Sequence, residues 1–140
     1  MSVNKFNSEG YYDPTFYEAI TNIEQEEKQK RYRPIVYICS PFRGDVETNI
    51  ENARRYCRFA VKQGYIPLAP HLFFPQFLDE DAADERELAM FMDLALLSKC
   101  RELWVFGSVR SRGMRREIDK ANYRRMPVRY FDSDCKEAPI

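Results

Sequence analysis

The stretch "VYICSPFRGDVETN", residues 36–49, decides how this chain is read. Val36 to Cys39 are apolar or small and read as a buried strand. Ser40, Pro41, Arg43, Gly44 and Asp45 then crowd into six positions, and a helical pattern follows at once. A plain connector needs only a glycine. An arginine at the centre of the turn after a strand faces something negative, so this turn reads as part of a site.

Working outward, the same alternation repeats. The strand covers Ile35 to Cys39. Ile50, Ala53, Cys57, Ala60 and Val61 form one helix face, ended by Gly64. Tyr65 to Ala69 is a second strand, followed by a loop rich in proline, phenylalanine and acids. Glu87 to Ser98 is a helix apolar on more than one face, which points to burial on two sides, one of them a subunit interface. "ELWVF", residues 102–106, is a third strand, Arg112 to Arg124 a helix, and Pro127 to Phe131 a last strand. Strands alternating with helices predict an α/β fold with a single doubly wound parallel sheet, flavodoxin- or Rossmann-like. Asp13-Pro14 is a helix start, with aspartate at the cap and proline at the first helical position. Phe16, Ile20 and Ile23 continue it at helical spacing, so an added N-terminal helix precedes the core. The charged run "EQEEKQKRYR" reads as its solvated end.

Composition narrows the function. One core fits 140 residues, and the 22 basic and 22 acidic side chains balance. Zero net charge argues against general attraction to nucleic acid or to a membrane surface. No apolar run approaches the roughly 18 residues of a membrane span. Four cysteines without CxxC spacing and a single histidine argue against a structural zinc site and place the chain in a reducing cytosol. Cys39 and Cys57 read as small core residues.

Ligands of parallel sheets bind at the carboxyl ends of the strands. That rule selects Ser40, Phe42, Arg43 and Gly44 after the first strand, and His71, Phe73 and Phe74 after the second. After the third it selects Ser111, Arg112 and Gly113. Together they read as a nucleotide pocket, with Arg43 as cation, His71 as donor or acceptor and the phenylalanines as surfaces for a base. Ser111 is an ordinary N-cap, but a helix start also offers free N–H groups to phosphate. Gly113 lets a ligand approach the backbone. Glu117, one turn further, reads as a surface glutamate paired with an arginine if taken alone. Asp93 interrupts the apolar run "LAMFMDLALL", and a buried unpaired carboxylate is costly, so it needs solvent, a partner or a site.

This order of motifs resembles the nucleoside 2-deoxyribosyltransferase superfamily, nearest its branch of 2'-deoxynucleoside 5'-phosphate N-hydrolases. The order is an Arg-Gly turn after the first strand, a histidine after the second, an aspartate in the middle helix, then Ser-x-Gly-x-x-x-Glu. The resemblance covers roughly residues 34–132, leaving 1–33 as an N-terminal extension with its helix and 133–140 as a tail. It implies Glu117 as the nucleophile at C1' and Asp93 as the acid that handles the leaving base. It implies that Ser111 and Gly113 hold a 5'-phosphate, and that the protein is a homodimer or larger homo-oligomer. It implies no metal and no cofactor; the partner is a nucleotide or nucleoside monophosphate. Arg110, Arg112, Arg115 and Arg116 depart from the family's small apolar residues around the glutamate. An arginine clamped on Glu117 would favour an alternative: a binder of a nucleotide or ADP-ribose-like ligand that kept the fold and lost the chemistry. A third reading is a regulatory module that offers its apolar middle helix to a partner.

Overall fold

The computed structural model describes residues 14–139. The chain divides into two units, one ending at Arg33 and one beginning at Pro34. The first holds helix α1, Pro14–Arg31; its expected cap, Asp13, lies outside the described residues.

The second unit runs β1 (Ile35–Cys39), α2 (Val46–Lys62), β2 (Ile66–Leu68), two short 3-10 turns, α3 (Ala83–Leu97), β3 (Glu102–Phe106), α4 (Arg112–Tyr123) and β4 (Val128–Phe131). The four strands form one parallel sheet in the order β2-β1-β3-β4. This is the expected α/β architecture, and it carries helices on both faces.

Alternation along the strands explains the two faces. Val36 and Ile38 of β1, with Trp104 and Phe106 of β3, pack against Tyr56 and Ala60 of α2. The intervening Tyr37, Cys39, Leu103 and Val105 pack against Leu97 of α3 and Met114 and Ala121 of α4. Both strands are therefore near-continuous apolar runs, as a sheet covered on both sides requires. Gly64 follows α2 at φ +89°, a left-handed position that favours glycine and stops the helix.

Some boundaries differ from the sequence reading. β2 is only three residues long. It is an edge strand, where Pro67 can sit opposite Val36 without breaking a central ladder. α3 begins at Ala83, a turn before Glu87, with Asp84 and Glu85 favourably placed at its positive end. Beyond β4 the chain turns back. Phe131 and Glu137 form an antiparallel bridge, and Arg129 holds Glu137 through two hydrogen bonds of 2.7 and 2.8 Å.

From β1 the sheet grows in opposite directions, to β2 on one side and β3 on the other. The crevice at such a switch point, at the carboxyl ends of the strands, is where the geometry leaves room for a ligand.

Candidate functional site

The turn after β1 is built by its own side chains. Asn49 Nδ2 donates to the carbonyl oxygens of Phe42 and Arg43, both at 3.0 Å. Asp45 caps α2, accepting from the Thr48 amide at 3.3 Å and the Thr48 hydroxyl at 2.8 Å. Gly44 sits at φ +96°, a conformation L side chains rarely adopt, and this lets the chain reverse within the turn. With the backbone secured, the Arg43 side chain is left outward, 3.4 Å from Asp81. Both groups are well exposed, so that pair holds little energy and leaves the guanidinium available.

Behind the turn lies a cavity of about 310 Å³, at the small end of the range for small-molecule sites. β1 contributes Tyr37 to its wall and the turn after it Ser40, α3 contributes Asp93, and α4 contributes Gly113 and Glu117 together with its cap, Ser111. The Ser40 hydroxyl lies 3.2 Å from His71 Nε2. Burial pushes the His71 imidazole down to about 4, so it is neutral at physiological pH.

Glu117 is only 8% exposed. It enters the cavity from α4, whose start Ser111 caps by accepting from the Met114 amide at 3.2 Å. Tyr37 donates a hydrogen bond to its carboxylate, and Cys39 Sγ lies 4.0 Å from Oε1. Burial raises the Glu117 carboxyl to about 8. The Tyr37 hydroxyl opposes that rise and the Asp93 charge adds to it. Burial also raises Asp93, to about 7, with the charge of Glu80 adding to the effect. Asp93 Oδ1 is buried and has no hydrogen-bond partner among the described residues. A costly acceptor aimed at a cavity is a feature of sites more than of cores.

The arginines in and just before α4 do not clamp Glu117. Arg116 reaches Glu87 of α3 at 3.3 Å. Arg110 donates to the Gly107 carbonyl and stacks over the Tyr130 ring at 5.5 Å. No ion pair among the described residues involves Glu117.

Glu117, Asp93, Ser40, Phe42, Arg43 and His71 all line this one cavity, as do Ser111, Arg112 and Gly113. Two expected residues do not. Gly44 lines a neighbouring groove that shares Phe42, Arg43 and His71 with the cavity. Phe73 lines neither; it packs edge-on against Phe74, 4.5 Å between centroids, and Phe74 supplies the aromatic wall. Gly113 also has a packing role. A Cβ there would stand 2.9 Å from Met90 Cε, so the space beside it is shared with α3. Sequence reasoning missed Tyr37, Glu80 and Arg86. Tyr37 looked like one more apolar strand residue, and the other two belong to an acidic, charged run that reads as surface.

Among solved structures, the chain is similar to the 2-deoxyribosyltransferase of the psychrotolerant bacterium Bacillus psychrosaccharolyticus. The TM-score is 0.60 and the identity 15%, over 76% of each chain. At that identity the likeness is one of fold: the two chains share an α/β architecture. No curated protein matches the sequence significantly. Residues 34–131, β1 through β4, match the family described as a domain of unknown function, DUF7768, and the chain belongs to that family.

Proposed function

We propose that this protein cleaves, or transfers at, the N-glycosidic bond of a (2'-deoxy)nucleoside 5'-monophosphate. The observation that carries the reading is a pair of buried carboxyls, Glu117 and Asp93, opening onto one cavity at the start of α4.

The chemistry follows from the pair. Leaving of the base passes through an oxocarbenium-like sugar. The Glu117 carboxylate attacks C1', the C1'–N bond breaks, and its electron pair goes to the base, which takes a proton from Asp93. Water then hydrolyses the glycosyl ester and a proton returns to the pair; in a transfer reaction a second base replaces that water. Because burial holds both carboxyls up, the pair retains a proton at neutral pH. With Glu117 raised to about 8 and Asp93 to about 7, that proton rests on Glu117 in the free protein; the reactive form is the one in which it has passed to Asp93, with the Tyr37 hydrogen bond favouring the ionised Glu117. The 5'-phosphate takes the free N–H groups at the start of α4, beside Ser111, with Arg112 adjacent. The exposed Leu88 and Phe91 of α3 fit the expectation of a homodimer or larger assembly through that helix.

Incubation with each deoxynucleoside monophosphate, followed by chromatography for free base, tests the reading. Base release by the wild type and its loss in Glu117→Gln are expected. A wild type that binds a monophosphate tightly and leaves it whole at several pH values would overturn it.

A further inference from the structure

Glu80 lies just before α3 and projects into the same cavity as Asp93. It is partly buried, yet it makes no hydrogen bond or close ion pair with another described residue. Burial raises its carboxyl above the ordinary range; Arg43 and Arg86 oppose that rise, and Asp79 and Asp81 add to it. Its charge also raises Asp93, and both residues line the one cavity. Phe42, His71 and Phe74 line that cavity too and give a flat ring surfaces to lie against.

We infer that Glu80 selects the base, and that the cavity takes one with an exocyclic amino group beside a ring-nitrogen acceptor, adenine or cytosine. This rests on the glycosidase reading of the site. An ionised carboxylate only accepts, whereas a protonated one can donate. Adenine presents N7 as acceptor beside the N6 amino donor. Cytosine presents N3 beside the N4 amino donor. Protonated Asp93 then donates to the ring nitrogen, which also makes the base a better leaving group, and Glu80 accepts from the amino group. Replacing the amino group by an oxygen turns a lone pair toward Glu80. In uracil it also sets N3–H against the Asp93 proton. A site built for a donor rejects a ligand that lacks it far more strongly than an apolar wall rejects an extra atom.

Two substrate pairs isolate that change: dAMP against dIMP, and dCMP against dUMP. For the wild type, kcat/KM and Kd should favour the amino member by about tenfold or more. In Glu80→Gln the side-chain amide can donate as well as accept, so the ratio should fall toward unity or invert while dAMP cleavage persists. Equal handling of both members, a preference for the oxo base, or an unchanged ratio in Glu80→Gln would overturn the inference. If no base is released from any of the four, the glycosidase reading fails and the Kd ratios still decide the role of Glu80. Absence of binding to all four overturns both.

Discussion

The two faces of the sheet are made from the same strands and have opposite characters. On the α2 side, alternate residues give a stack of rings. Tyr56 lies parallel to Phe106 at 4.1 Å and Phe106 to Phe131 at 5.0 Å, with Trp104 wholly buried beside them. On the other side, one residue along each time, β1 presents a phenol and a thiol, Tyr37 and Cys39, to a buried carboxyl. On the first face, burial leaves one polar atom without a partner among the described residues, Trp104 Nε1, and no carboxyl. On the second, burial leaves Glu117 and Asp93 away from water and raises both. The apolar face can supply the stability that a strained polar face spends on being reactive.

Substitutions that separate stability from turnover test this contrast. Glu117→Gln should have the largest effect, slowing base release by roughly a thousandfold or more, about 4 kcal/mol on the barrier. The same variant should melt no lower than the wild type. A variant that loses activity only because it unfolds would contradict the division of labour.

Trp104→Ala attacks the other face. It should lower unfolding free energy by about 3–5 kcal/mol in urea titration, through lost burial and an unfilled cavity. Whatever protein stays folded should still cleave at near the wild-type rate.

The phosphate end of the cavity gives a smaller effect. Nucleoside monophosphates should bind tighter than the matching nucleosides by about 1.5–3 kcal/mol in calorimetry. Ser111→Ala should narrow that gap. It should also cost about 1 kcal/mol of stability, because the hydroxyl caps α4.

A further test is the pH dependence of stability. The folded state holds the Glu117 proton up to about pH 8, whereas the unfolded chain releases it near 4.5. Stability from this group is therefore full below about pH 4.5 and is lost as pH rises through 8. His71 acts in the opposite sense: held neutral down to about pH 4, it costs stability as pH falls below 6.5. Comparing Glu117→Gln with the wild type removes the histidine contribution. The variant's relative melting temperature should climb from pH 5 to pH 8. A flat difference would mean that Glu117 is not buried as the fold places it.

Much of this arrangement can be read in the sequence where local rules apply. The Arg-Gly turn and the Ser111 cap are local features of one turn and one helix start, and the fold keeps them as read; Glu117, which locally reads as a surface residue paired with an arginine, is instead buried and makes no ion pair among the described residues. Asp93 was visible because a charge interrupts an apolar run. Phe73 and Phe74 were not separable: the 3-10 turns around them have no period that assigns a face. Gly44 was assigned to a ligand, but its left-handed backbone serves the turn itself. Glu80 was hidden in a run of acids whose ordinary reading is solvent.

The sequence by itself determined the alternation of strands and helices, the caps, and which side chains have the chemistry, because each depends on neighbours a few positions away. Only the tertiary structure decided that β1 has β2 on one side and β3 on the other. That placement brings Tyr37, Asp93 and Glu117 from three elements to one cavity. It also decided which face of β1 is polar and how far each carboxyl is buried. Those are contacts between residues far apart in the chain, and burial, which sets proton affinity, exists only once such contacts have formed.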